Sequence, residues 1–167
     1  MKILVDADSC PKAARELVLR RAAKLGLPVV FAANRQIPGA INTSAADADV
    51  LNAEKNVTME ICPNSANSAD DRIVELAEKG DITITRDVPL AKRLVEKNIL
   101  ALDDRGRVFT MNNINELLSL RNFMVDLADN GLNTQRTANY GRKELKSFAD
   151  SLDRILTLQL KPESKPV

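Results

Sequence analysis

The run Ile3-Leu4-Val5 is apolar without interruption and passes directly into Asp6-Ala7-Asp8-Ser9-Cys10-Pro11. A strand wetted on one face alternates apolar and polar residues, whereas a continuous apolar run marks a strand covered on both faces, as parallel strands in α/β proteins are. This short stretch therefore predicts a central strand with helices packed above and below it. Behind it, Pro11 suits a first helical turn, and Ala14, Leu17, Val18, Ala22 and Leu25 form one stripe that Gly26 terminates. Leu27 to Ala33 then reads as a second strand.

The same alternation continues. Val57 to Ile61 reads as a third strand, ended by Cys62-Pro63 and a polar Asn/Ser loop, and Ser68 opens a helix expected to stop at Gly80. Ile82 to Thr85 is a fourth strand, Asp87-Val88-Pro89 starts a helix carrying Leu90, Ala91, Leu94 and Val95, and Ile99 to Leu102 is a fifth strand before an Asp103-Asp104-Arg105-Gly106 turn. Between the second and third strands, residues 34–56 are less legible, with a Pro38-Gly39 turn and a short helix over 44–54. Two longer helices follow, over 112–130 and about 141–158, each with one apolar stripe expected to pack on the sheet or on its neighbour. The segment between them is locally basic through Arg136, Tyr140, Arg142, Lys143 and Lys146. Strand and helix in regular succession imply a mainly parallel, doubly wound sheet in a single domain over residues 1–158, followed by a disordered tail over 159–167.

Composition narrows the chemistry. The 167 residues include no histidine, which removes Ser-His-Asp and Cys-His triads, histidine-ligated zinc and imidazole acid/base catalysis together. A formal charge of +1 argues against a broad duplex-DNA footprint. No apolar run approaches the ~20 residues of a membrane span, and no basic segment leads into a long apolar one, so a cytoplasmic protein with no membrane role is expected. Its two cysteines then read as reduced thiols. Cys10, beside a helix start, is either a reactive thiol of lowered pKa or a buried inert one, and the buried reading is preferred.

In an open parallel sheet, ligands bind outside the carboxyl ends of the strands, which makes the residue after each apolar run the informative one. The first strand ends in Asp6 and Asp8, the fourth in Thr85-Arg86-Asp87, and the loop after the third leads to Ala69-Asp70-Asp71. An aspartate there can simply cap the next helix. That reading suits Asp71, three residues after a Ser68 N-cap, as a capping-box partner. Asp70 shares the stripe of Ile73, Val74 and Ala77 and is preferred as the functional acid. Asp87 divides evenly between cap and site, and Asp8 is similarly ambiguous. Asp6 is nearly continuous with a buried strand, where an unpaired carboxylate is costly. Converging carboxylates repel by roughly 4 kcal/mol per close pair, a repulsion that a divalent cation removes. Oxygen ligands without histidine or clustered thiolate favour Mg2+ or Mn2+, and hence phosphoryl or phosphodiester chemistry. Lys12, Arg35 and Arg86 are the cations placed to clamp phosphate, or else solvated surface charges.

These stretches also carry a family resemblance. VDADSCP at 5–11, FAANR at 31–35, SADDRIVELA at 68–77 and ITRDVPLAKRLVEK at 84–97 closely resemble the YaiI/YqxD family of bacterial proteins. The similarity continues through GRVFTMNNINELLSLRNFM at 106–124 and FADSLDRIL at 148–156. The resemblance implies a three-layer PIN-like α/β fold, the superfamily of metal-dependent nucleases that gather acids at strand ends. Carried onto this chain, those acids are Asp6, Asp70 and Asp87 as metal ligands, with Asp8 added by the DAD motif. The activity so implied is Mg2+- or Mn2+-dependent phosphodiester hydrolysis, with RNA favoured over DNA and single-stranded nucleic acid as the partner.

Two other functions compete. An apolar strand ending in Asp-x-Asp is also the nucleophile motif of haloacid-dehalogenase-type phosphatases, where Asp6 would become an aspartyl-phosphate and Asp8 the general acid. In that reading Asp103-Asp104 imitate the later metal-binding acids, although Cys10-Pro11 departs from the motif and no matching lysine is evident. The third possibility is a non-catalytic module that binds nucleic acid or a protein partner, weakened by an aromatic content of only 3%, which leaves few stacking platforms.

Overall fold

Alternate residues of the first strand feed two separate cores. In the computed structural model, which describes residues 1–36, 56–65, 67–132 and 139–161, Ile3 and Val5 of β1 (Ile3–Asp6) face one side and Leu4 the other. All three are fully buried, the environment that the uninterrupted apolar run requires.

The remaining elements are α1 (Lys12–Leu25), β2 (Val29–Ala33), β3 (Val57–Ile61), α2 (Ser68–Leu76), β4 (Ile82–Ile84), α3 (Val88–Glu96), β5 (Leu100–Leu102), β6 (Val108–Phe109), α4 (Ile114–Asp129) and α5 (Arg142–Leu160). The sheet order is β3-β2-β1-β4-β5-β6, with the first five strands parallel and β6 antiparallel to β5. Ile3 lies beside Val29 on one flank and Ile82 on the other, which makes β1 central as expected. Helices α1 and α5 cover one face through Leu17, Val18, Phe148 and Leu152, and α2 and α3 cover the other through Ile73, Leu90 and Leu94. The architecture is thus a three-layer α/β fold around a mostly parallel sheet, consistent with a PIN-like arrangement.

Several boundaries differ from the sequence reading for identifiable reasons. Helix α2 ends at Leu76 because Ala77 is extended, and the Asp81 carboxylate then binds the Glu78 amide and the Lys2 amide, tying the start of β4 to β1. Strand β6 is two residues long, too short for any periodicity to announce it. Its turn depends on Gly106, at φ +88°, where an added Cβ would stand 2.5 Å from the Ser147 carbonyl oxygen of α5. Helix α5 packs on the sheet face as expected and continues to Leu160, so residues 159 and 160 are helical rather than part of a disordered tail, and α4 packs on its neighbour α3 and the core through buried Ile114 and half-buried Leu117. The Pro38-Gly39 turn, the short helix read over 44–54, Arg136 and residues 162–167 of the tail lie outside the described residues. Among the described residues, no helix is long and apolar enough to cross a membrane.

Candidate active site

The strand order reverses direction at β1 and β4. The chain leaves β1 towards β2 and leaves β4 towards β5, so the carboxyl ends of these two neighbours bound a crevice at a topological switch point. Asp6 ends β1, and Thr85-Arg86-Asp87 follows β4. A groove of about 410 Å3 opens there, lined by Asp6, Asp8, Ser9, Asn34, Asn67, Ala69, Asp70, Arg86 and Asp87. All four aspartates singled out in the sequence therefore share one groove.

Each is held differently. Asp6 is buried, and its Oδ2 accepts hydrogen bonds from Ser9 Oγ at 2.6 Å and Thr85 Oγ1 at 2.8 Å. Burial raises the Asp6 pKa, against the two hydroxyl donors that lower it. Ser9 Oγ in turn accepts the Arg86 amide, and Thr85 Oγ1 accepts the Asp87 amide, so one network joins the ends of β1 and β4. Asp87 is the N-cap of α3: its Oδ1 accepts the Leu90 amide at 2.7 Å. Asp8 Oδ2 accepts the Asn34 amide at 2.8 Å and fixes the end of β2 against the β1 loop.

Asp70 is half-buried in the first turn of α2. Its pKa is pushed up to about 6, first by burial and then by the negative charges of Asp87 and Asp6, with Arg93 opposing more weakly. The groove thus gathers negative charge around Asp70 that Arg93 offsets only in part. Among the described residues, no three His, Cys, Asp or Glu side chains stand close enough to chelate a metal jointly. No closed protein cage is therefore present among the described residues; an ion held here would take one or two carboxylates, with waters and substrate phosphate completing its shell.

The cations are distributed less simply. Arg86 lines the groove, but its guanidinium grips the buried Asp104, with Nε 2.6 Å from Oδ1 and a second bond from Nη2 to Oδ2. It also lies over the Tyr140 ring, 5.7 Å from the centroid, while the Tyr140 hydroxyl donates to the Asp104 carbonyl. Arg35 is exposed and 3.5 Å from Asp8, and Lys12 is exposed and 3.8 Å from Glu16; neither lines the groove.

Asp71 does not complete a capping box. The N-cap of α2 is Asn67, in the left-handed region at φ +65°, because the Ser68 hydroxyl is spent on Asn34 Oδ1 and the Pro63 carbonyl; Asp71 instead pairs with Arg93 at 2.8 Å. Asp103 Oδ1 accepts the Arg105 and Arg107 amides, so neither it nor Asp104 contributes to the groove as a phosphatase reading would require. Cys10 is buried, and burial together with nearby Asp104 pushes its thiol up to about 12, the inert state. Sequence reasoning missed Ser9, Thr85, Asn34 and Asn67. Only Ser9, three residues after Asp6 beside the helix start, carried a local signal.

Comparison with known proteins shows the family. The chain is 44% identical over 161 residues to a UPF0178 protein of Treponema denticola, covering 96% of this chain and 95% of that one. It is 41% identical over 169 residues to a UPF0178 protein of Treponema pallidum, covering 99% and 89% of the two chains, and 41% identical over 157 residues to one of Pseudomonas aeruginosa, covering 94% and 91%. No solved structure matches. The family model described as "Uncharacterized BCR, YaiI/YqxD family" matches residues 4–158, and the chain belongs to that family.

Proposed function

We propose that this protein is a divalent-metal-dependent nuclease that hydrolyses phosphodiester bonds in RNA at the groove between β1 and β4. The observation that carries the reading is the convergence of Asp6, Asp8, Asp70 and Asp87 on one groove, where burial first and the charges of Asp87 and Asp6 second raise the Asp70 pKa to about 6. Such a site attracts a cation, and carboxylate oxygens select Mg2+ or Mn2+ over softer metals. One or two of Asp6, Asp70 and Asp87 would hold the ion directly, with waters and substrate phosphate completing its shell, and the ion would lower the pKa of a water and offset phosphate charge. The chain's own contribution is positional. Ser9 and Thr85 fix Asp6 through Oδ2, leaving Oδ1 for a ligand, and the α3 cap leaves Asp87 Oδ2 in the same state.

A polynucleotide suits the surroundings better than a small monoester. Arg142, Lys143, Lys146 and Arg154 are exposed along α5, which begins two residues beyond the Tyr140 ring that Arg86 covers. RNA is favoured through the PIN-like resemblance. The test is cleavage of 5′-labelled single-stranded RNA by purified protein with Mn2+, with Mg2+ or with EDTA. Cutting should need the metal, and Asp6→Asn or Asp70→Asn should lower the rate at least ~100-fold. Cutting in EDTA, or full activity in both variants, would overturn the reading; turnover of phosphomonoesters instead would move the assignment to a phosphatase.

A further inference from the structure

Asp8 is the one aspartate of the groove that the proposed chemistry leaves without a task, and both of its oxygens are taken up at the end of β2. Oδ2 accepts the Asn34 amide at 2.8 Å, and Oδ1 stands 3.5 Å from Arg35 Nε. The Asn34 side chain is half-buried, lines the groove and is fixed from the α2 side, where its Oδ1 accepts the Ser68 hydroxyl at 2.8 Å. A carboxamide with its oxygen so engaged keeps two N–H donors on Nδ2. Among the described residues no acceptor meets them.

The other donors of the groove are largely spent. Ser9 and Thr85 give their hydroxyl protons to Asp6, and Arg86 commits Nε and Nη2 to Asp104. Asn67 is exposed at the N-cap of α2 and makes no side-chain capping bond that would orient it. A phosphate diester offers acceptors only, so within walls of carboxylate it needs a donor whose position is set before it arrives. Asn34 is the donor so placed. We infer that the Asn34 carboxamide is a substrate contact, donating from Nδ2 to a non-bridging phosphate oxygen of a bound nucleic-acid strand, and that Asp8 is the positioning residue that holds it there. The inference rests on the nuclease reading for its substrate and gives Asp8 a role other than metal ligand. Contacts of this kind set the register of a strand without reading its sequence.

Fluorescence anisotropy of a labelled single-stranded RNA, and of a DNA of the same sequence, with Ca2+ in place of Mn2+ tests the contact apart from cutting. Asn34→Ala should raise Kd about tenfold for both strands, the loss of one hydrogen bond to a charged group. Asn34→Asp keeps the oxygen that Ser68 holds and should lose at least as much. Asp8→Ala and Asp8→Asn remove the same charge, but only the asparagine keeps an acceptor for the Asn34 amide, so Asp8→Ala should bind at least ~3-fold more weakly than Asp8→Asn. Each variant should match the wild type in far-UV circular dichroism. Unchanged affinity in Asn34→Ala, equal affinities for the two Asp8 variants, or a wild type that binds neither strand would each overturn the inference. A loss confined to RNA would place the contact on a ribose hydroxyl and overturn it as well. Binding that depends on Asn34 in a wild type that cuts nothing would keep the contact and remove the nuclease; cutting with binding indifferent to Asn34 would do the reverse.

Discussion

Asp70 shows how a single side chain can oppose the stability of the fold that carries it. Its folded pKa of about 6 lies above the ordinary 3.8, so the folded state holds the proton more tightly than the unfolded chain does. Folding stability contributed by this group therefore rises as pH falls from about 7 towards 4, and the ionised form is a liability above that window. Asp70→Asn should stabilise the protein at pH 7.5 by about 1 kcal/mol, a figure discounted for the partial exposure of the group, and the gain should vanish near pH 4. Urea denaturation at the two pH values measures it; a loss of stability at pH 7.5 would contradict the electrostatic account. The sequence singled out Asp70 through its helical stripe, and the structure places it half-buried at the groove. The acid beside it went the other way: the capping role read for Asp71 depended on Ser68, and that hydroxyl is taken by Asn34, 34 residues distant in the chain. Local spacing could not have registered so remote a competitor.

Asp87 joins the site to an element, because the carboxylate that lines the groove also caps α3. The two roles separate by substitution. Asp87→Ser keeps a cap acceptor and should hold stability within about 0.5 kcal/mol of wild type, whereas Asp87→Ala should lose about 1 kcal/mol. Both should abolish metal-dependent cutting. Thermal melts beside the cleavage assay check this, and an active Asp87→Ser would remove Asp87 from the ligand set. The β5–β6 turn makes a purely structural counterpart. Gly106→Ala brings a side chain onto the Ser147 backbone at a positive φ, and should cost about 2 kcal/mol or more in chemical denaturation; an unchanged midpoint would show that α5 yields easily. Elements with long periodic patterns, such as α1 and α5, were legible in the sequence because burial on one face leaves a repeat. The turn and β6 were not, since a two-residue strand has no period and its glycine is explained by a helix some forty residues further along the chain.

The net charge of the whole molecule is only +1, yet its charges are not evenly spread. Four acids share the β1/β4 groove, while Lys143, Lys146 and Arg154 line a separate surface on α5 together with Asp150, which pairs with Lys146 at 2.7 Å. If RNA crosses that surface, replacing those three cations by alanine should weaken binding to single-stranded RNA and reduce the slope of log affinity against log salt by about 2, at ~0.7 per phosphate contact. Fluorescence anisotropy across a salt series reads the slope; an unchanged slope would place the RNA elsewhere. The amino-acid sequence by itself determined the buried central strand, the parallel strand–helix alternation and the family, because continuous apolar runs, helix stops and local motifs depend on near neighbours in the chain. It also identified the four aspartates, since each directly follows a strand or opens a helix. Only the tertiary structure decided their company: β4 pairs with β1 rather than with β3, which puts Thr85 against Asp6, while Arg86 turns away to Asp104 and Tyr140. It alone decided, too, that α4 meets the core through Ile114 and Leu117 while Leu120 and Phe123 stay exposed. Both outcomes are set by contacts between residues far apart in sequence, and pairwise packing of that kind leaves no periodic trace along the chain.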